Sequence, residues 1–452
     1  MSGMTSRRNF MKMTGAAAVG LAAGAGNAHA QRNPETAKRN VVFIFIDDQR
    51  YDALSMLNPF FETPVLDTLA QNGILFERAF VTTSLCSPSR ASVLTGQYAH
   101  SHGVLDNSTR LPASIPTFPK ELQKAGYKTA FVGKWHMGGA SDAPRPGFDR
   151  WVSFRGQGRY YDPGFNVDGD RIKRDGYVTD LITDYAEDFI RKSKDHPFFL
   201  YMSHKAVHAD FYPAKRHEGS YEGRQYPYPA SMADTEENYR GKPAWVKAQR
   251  QSWHGVDGMY NKRVDFDEFV RKYAETLRAV DDSVGRIVKT LRELGLLNST
   301  LIIFTSDNGF QFGEHGLIDK RTMYEASIRV PLIVHCPDLV QGGQRRKEMI
   351  LNVDYAPTIL ETAGTPIPDS MQGQSFYGLL DGSRKDWRDA WLYEYFWERS
   401  FPQTPTVLGV RTDRYKFMKY HGIWDRYELY DLETDPNEMH NLLADFTIRN
   451  EG

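Results

Sequence analysis

Four short apolar runs, each closing on polar or charged residues, set the tightest limit on what this chain can fold into. In "NVVFIFIDD", Val41 to Ile46 lead straight to Asp47 and Asp48; in "TLIIFTSDNG", Leu301 to Thr305 lead to Asp307 and Asn308. "KTAFVGKWH" ends in Lys134 and His136, and "HPFFLYMSHKAVH" runs through Phe198 to Met202 into His204 and His208. Unbroken runs of β-branched and aromatic residues suit strands buried on both faces of a parallel sheet. Apolar residues at helical spacing over Thr117 to Ala125 and Phe266 to Leu294 place helices between them. The pattern predicts an α/β fold: a large mixed, mostly parallel sheet flanked by helices. Ligands of such sheets gather beyond the carboxyl ends of the strands, so the four polar ends predict one site.

The 452 residues, 40% hydrophobic and 25% charged, can bury a large core and allow two domains or one large domain with an appendage. The first thirty stand apart. "TSRRNFMKM" carries paired arginines, Gly15 to Gly26 are mostly small and apolar, and "AHA" precedes Gln31, which reads as a twin-arginine export signal cleaved after Ala30, with an amphipathic anchor as the other reading. The expected destination is the periplasm, or secretion, through the Tat export machinery, without stable membrane insertion. Losing Arg7, Arg8 and Lys12 takes the formal net charge from -1 to -4. A mildly acidic protein has no global attraction for nucleic acid, so an anionic substrate needs a local basic cluster.

Gly139 to Tyr177 and Pro213 to Lys262, rich in Gly, Pro and Tyr, are expected as long insertions over the sheet. From about Trp391, aromatic runs broken by turn residues predict a small antiparallel sheet. The expected plan is an export signal over 1–30, a catalytic domain over 31–390 and a C-terminal subdomain over 391–452.

Common catalytic signatures are absent: there is no G-x-S-x-G, H-E-x-x-H, Walker loop or C-x-x-C. Only two cysteines are present, Cys86 and Cys336, too few for a disulfide framework. Cys86, at an expected helix start in "TTSLCSPSRASVLTG", reads from its residues alone as a thiolate nucleophile or as a small buried hydrophobe.

The full run "CSPSRASVLTG" resembles the signature of the type I sulfatases, formylglycine-dependent members of the alkaline phosphatase superfamily, in which the cysteine of C-x-P-S-R is oxidised to formylglycine (3-oxoalanine). Further matches are Asp47-Asp48, "GKWHMG" at 133–138, His208, "SDNG" at 306–309, "GEHGL" with Lys320, and "LYDLETDPNE". They span most of the chain in the family's order. The resemblance implies an alkaline-phosphatase-like fold, a formylglycine-generating enzyme as maturation partner, and a divalent metal bound by Asp47, Asp48, Asp307, Asn308 and modified Cys86. The all-oxygen side chains suit Ca²⁺, and less well Mg²⁺; each Asp or Asn also reads as a turn residue or helix cap.

By the same resemblance, hydrated formylglycine at 86 is a geminal diol whose hydroxyl attacks sulfur. His208 and Lys320 match the residues that protonate the leaving alcohol, and His136 the base that deprotonates the second hydroxyl. Arg90 supports the diol and carboxylates, and Lys134 bridges diol and sulfate. The family commonly has proline before the histidine at 208, where this chain has Val207. His204 and His315, with His100 and His102, are supporting or substrate-contact candidates. Trp135 reads as a sugar platform or as core.

"YMSHKAVHADFYPAKRHEG" resembles the glucosamine-6-sulfatase and polysaccharide sulfatase branch. This implies a sulfated carbohydrate substrate from glycosaminoglycan, mucin or algal polysaccharide. The aromatic-rich insertions, including "GQGRYYDPGF", read as sugar-stacking surfaces with Arg155 or Arg159 meeting a further anionic group, or as side chains that pack the loops down. Two other readings stand beside it: a phosphonate or phosphodiester hydrolase of the same superfamily, and a non-catalytic glycan-binding protein on this scaffold.

Overall fold

The computed structural model describes residues 38–138, 141–262, 265–422 and 427–444; the expected export signal over 1–30 lies outside them. All four apolar runs are strands: β1 (Asn40–Ile46), β3 (Lys128–Lys134), β7 (Phe198–Ser203) and β8 (Thr300–Ser306). They lie side by side and parallel in the order β8-β1-β7-β3. Beyond β3 come β4 (Arg150–Phe154), parallel, then β5 (Gly164–Val167) and β6 (Asp170–Lys173), antiparallel. Beyond β8 come β9 (Leu332–His335), antiparallel, β2 (Ile74–Phe76) and β10 (Gln344–Arg346), completing a ten-stranded mixed sheet.

Alternate β1 residues serve two cores. Val42, Ile44 and Ile46 pack with α1 (Pro64–Gln71), α4 (Val178–Ser193) and α5 (Phe266–Glu293) on one face. Val41, Phe43 and Phe45 pack with α2 (Cys86–Thr95), α3 (Phe118–Lys124) and α6 (Tyr355–Thr362) on the other. Every β1 residue is buried, which is why the run is apolar throughout; each large aliphatic buried there contributes about 1.5–3 kcal/mol. In α5, Phe269, Tyr273, Leu277, Val280, Val284, Ile287 and Leu291 form the buried stripe. The Asp265 side chain caps this helix by accepting the Glu268 amide hydrogen bond (3.0 Å).

The expected C-terminal sheet forms from β11 (Ala390–Tyr395), β12 (Val407–Thr412), β13 (Tyr415–Tyr420) and β14 (Tyr427–Asp431), all antiparallel. Tyr393, Met418 and Tyr430 share a core with Leu85, Met323 and Tyr324. The sheet thus supports Leu85, which precedes Cys86, and the segment after Lys320. Tyr393 Oη donates to the Thr322 carbonyl (3.0 Å), as does Ser84 Oγ (2.9 Å).

One expectation is corrected. The stretch 139–177 is not only an insertion over the sheet, since β4, β5 and β6 extend the sheet itself. These strands are short, and β6 is exposed at every position, so no long apolar run marks them.

Candidate active site

Strand register assembles the site. Pairing of Ile46 with Ser306, and of Ser203 with both Phe45 and Gly133, brings the carboxyl ends of β1, β8, β7 and β3 together. Gly133 has φ +122°, and a Cβ there would stand 1.8 Å from the Ser203 carbonyl oxygen. A side chain at 133 would part β3 from β7. Asp48 and His136, immediately beyond the strands, have φ of +61° and +48°, strained for side-chain-bearing residues and held by their surroundings.

Asp47, Asp48 and Asp307 each offer a carboxylate oxygen, all within 4.8 Å of one another and all buried. The Asp48 amide donates to Asp307 Oδ1 (3.0 Å), and Asn308 Nδ2 donates to Asp48 Oδ1 (2.7 Å). Asn308 Oδ1 is buried without a hydrogen-bond partner among the described residues. Burial pushes the Asp48 carboxyl up to about 7 against the pull of Lys320, with Asp47 and Asp307 adding to the rise. Asp307 is raised by burial and by Asp47. Burial also opposes ionisation of Asp47, but Lys134, His208, Arg90 and Lys320 outweigh it and hold that group well below the usual carboxylate range. Crowded carboxylates with an orphaned amide oxygen fit a hard divalent cation, which accepts oxygen ligands and relieves their repulsion.

Cys86 is the first residue of α2 and fully buried, its Sγ 3.6 Å from Asp47 Oδ1. Burial raises its thiol well above the ordinary value despite Lys320 and Lys134. Burial thus opposes the helix terminus, which on its own favours a thiolate. Arg90, one turn along α2, donates through Nε to Asp307 Oδ2 (3.0 Å) and through Nη1 to the Lys134 carbonyl and Ser203 Oγ (both 2.8 Å). It ties the nucleophile helix to three strand ends. Lys134 pairs with Asp47, and Lys320 pairs with Asp48 while lying 3.5 Å from Asp319. His208 Nε2 is 3.9 Å from Asp48 Oδ2, and this side chain is 19% exposed, the most open of the cluster. Burial, reinforced by Lys134, pushes His136 well below its ordinary value, so its ring is neutral at neutral pH.

The structure thus brings together Cys86, Arg90, Lys134, His136, His208, Lys320, Asp47, Asp48, Asp307 and Asn308. The substrate-contact candidates fall elsewhere. His204 is buried, with Nε2 3.3 Å from Ser283 Oγ on α5. His315 is buried with its ring 3.9 Å from that of Tyr324, toward the C-terminal sheet. Arg159 is exposed on the loop between Gln157 and Tyr160, and Trp135 is buried against Phe131 and Trp151. Three neighbours went unread in the sequence. Ser203 bridges Arg90 and the Lys134 carbonyl, Asp319 pairs with Lys320 and Arg321, and Gln157 Nε2 lies 3.2 Å from His136 Nε2. Only Asp319, adjacent to Lys320, carried a sequence cue.

A sheet of this topology with a buried carboxylate site at its carboxyl edge defines the alkaline-phosphatase-like hydrolases. The chain belongs to the sulfatase family: the family model described as Sulfatase matches residues 39–365, and that of the C-terminal part of N-sulphoglucosamine sulphohydrolase matches 313–450. Its reaction is hydrolysis of a sulfuric ester, and members of the family generally use formylglycine and a divalent metal. It is 34% identical to an N-acetylglucosamine-6-O-sulfatase of Bacteroides thetaiotaomicron, over 91% of this chain and 83% of the relative. It is 33% identical to the Homo sapiens N-acetylglucosamine-6-sulfatase, over 83% of this chain and 70% of that protein. A solved structure of a protein in complex with its substrate D-glucosamine-2-N,6-O-disulfate superposes with a TM-score of 0.83 at 32% identity, covering 92% and 96% of the two chains. No described helix is long and apolar enough to cross a membrane.

Proposed function

We propose that this protein removes sulfate from a sulfated amino sugar, acting in the periplasm after twin-arginine export of residues 1–30, with 31–390 as the catalytic domain and 391–452 as its C-terminal subdomain. The observation that carries the substrate reading is identity above 30% across nearly the whole chain to proteins named for glucosamine sulfates. The strand-end cluster supports the chemistry. Asp47, Asp48, Asp307 and Asn308 would hold Ca²⁺, with Mg²⁺ as the second choice, and position 86 would carry formylglycine installed by a formylglycine-generating enzyme. Together, metal and aldehyde hydrate supply charge neutralisation at sulfate and a hydroxyl nucleophile.

The chain's own residues do the rest. Arg90 fixes position 86 relative to Asp307 and the end of β3. Lys134 and Lys320, buried and paired with Asp47 and Asp48, place two basic side chains where sulfate charge increases, and loss of one such donor typically costs on the order of 10² to 10³ in rate. Lys320 and His208 stand on the Asp48 side and deliver the proton to the departing sugar oxygen. His136, kept neutral by burial, accepts the proton that frees the product sulfate.

The test uses protein in which the aldehyde at 86 has been verified by mass spectrometry of the Ala79 to Arg90 peptide. Sulfate release from 6-O-sulfated N-acetylglucosamine is expected, and Cys86→Ala is expected to lower it by on the order of 10³ or more. Release only from intact glycosaminoglycan or algal polymers would replace the monosaccharide reading with an open groove. Faster turnover of phosphodiesters than of any sulfate would overturn it.

A further inference from the structure

Lys205 belongs to the strand-end assembly but is left over by the chemistry above. It follows β7 in "SHKAVH", three residues before His208, whose amide donates to the Lys205 carbonyl (3.1 Å). The residue is 4% exposed. Its Nζ lies 4.4 Å from the centre of the Tyr160 ring, and among the described residues no carboxylate stands within ion-pair distance. Lys134 and Lys320, by contrast, are each paired to an aspartate. Asp47, Asp48 and Asp210 attract Lys205 only from beyond ion-pair distance, and a buried ammonium without a directly paired counter-charge is costly. Burial, with Lys134 as the leading neighbour, lowers Lys205 to about 8.

A second observation comes from the loop facing it. Tyr160, which carries the lysine on its ring, donates its hydroxyl to the His208 carbonyl (2.7 Å). Gln157, three residues earlier, contacts His136, and its Oε1 is buried without a partner among the described residues. One loop therefore lays a polar amide beside His136 and an aromatic face beside His208 and Lys205. The two groups left unsatisfied, an acceptor and a cation, flank the histidines at which sugar and sulfate must part.

We propose that Lys205 is a substrate-binding cation that takes an anionic oxygen of the sulfated sugar, completing a recognition rim with Gln157 and Tyr160. This rests on the sulfated-sugar reading. The anionic oxygen belongs either to the scissile sulfate or to a second anionic substituent on the same sugar, and the substrates below separate these sources.

The experiment measures kcat and KM for the matured wild type, Lys205→Met and Lys205→Gln on 6-O-sulfated N-acetylglucosamine and on glucosamine-2-N,6-O-disulfate. Both neutral variants are expected to raise KM by about tenfold or more, with a smaller change in kcat, as for loss of a charge-assisted contact made equally in ground and transition states. A rise confined to the disulfate assigns the second substituent; an equal rise on both assigns the scissile sulfate. KM within about twofold of wild type on both substrates, or a loss in kcat alone, would overturn the proposal. Tyr160→Phe keeps the ring face and removes only the bond to the His208 carbonyl, so a KM rise there equal to that of Lys205→Met would also count against a charge role. If wild type turns over neither sugar, the sulfated-sugar reading fails first, and that result is separate from any difference between variants.

Discussion

Two buried charged clusters sit within this fold, and their arrangements differ in the feature that separates a site from a scaffold. Behind the C-terminal sheet, unlike groups alternate. Lys416 stands between Glu325 (3.0 Å) and Glu438 (2.6 Å), and Arg411 also reaches Glu325 (3.3 Å). Glu428 accepts hydroxyl hydrogen bonds from Tyr324 (2.9 Å), Tyr420 (2.8 Å) and Tyr430. At the strand ends three carboxylates converge within 4.8 Å, each also meeting a cation (Lys134, Lys320 or Arg90), and the neighbouring amide oxygen of Asn308 has no partner among the described residues. Among those residues, the carboxylate groupings able to hold a metal ion both include Asp47 and both lie at the strand ends. Alternation satisfies charge internally and stabilises; convergence leaves a demand that a ligand must meet.

The strongest way to break this contrast is to withdraw the cation. Chelation, or Asp48→Asn, is expected to lower sulfate release by on the order of 10³, because a metal supplies several kcal/mol of transition-state charge stabilisation. Added Ca²⁺ should restore the chelated protein and raise its melting temperature, with Mg²⁺ less effective. Unchanged turnover after metal analysis shows none left would make the carboxylate cluster a scaffold like the other.

Glu428→Gln probes the opposite cluster. The amide keeps the shape but replaces one of the two acceptor oxygens that three phenols address, and a broken buried network of this kind costs about 3 kcal/mol. Urea unfolding should report that loss while kcat/KM stays within about threefold at a temperature where the variant is folded. A large fall in kcat/KM at full stability would mean that the C-terminal sheet takes part in catalysis beyond holding Leu85 and Thr322 in place.

The same contrast explains what could be read in the sequence. The parallel strands were legible because burial on both faces demands unbroken apolar runs, as in Val41 to Ile46, and the convergence of the strand-end carboxylates was legible because each follows such a run. The short strands β4 to β6, which run out to one edge of the sheet, were not: they span five, four and four residues in a Gly-, Pro- and Asp-rich stretch, and β6 is exposed throughout. Gln157, on the loop after β4, and Ser203, at the end of β7, carried no spacing signal. His204 and His315 show the limit from the other side: both neighbour strong motifs, and the packing turns one toward α5 and the other toward Tyr324. Proximity in sequence selects the right loop, and only the packing says which side chain of that loop faces the site.

His102 gives a smaller and more local test, on the support of the helix that carries Cys86. Its Nε2 lies 3.0 Å from Ser92 Oγ on α2, and its Nδ1 accepts the Val104 amide hydrogen bond (3.1 Å). Nδ1 must therefore be unprotonated, and burial, with His100 adding to it, lowers the ring to about 4. An unfolded histidine titrates near 6.5, so on acidification the unfolded chain takes up the proton first. The stabilisation is complete above pH 6.5 and is lost as pH falls toward 4; the difference at pH 5 is about 2 kcal/mol. Buried His204 and His254, each lowered to about 3 chiefly by burial, act in the same direction, so the wild-type slope has several contributors. His102→Gln should be less stable at pH 7 yet lose less on moving to pH 5, by about that 2 kcal/mol, in paired urea titrations. An unaltered pH slope in the variant would mean that protonation of His102 is not what loosens α2, and that the acid sensitivity resides in other buried groups such as His204 and His254.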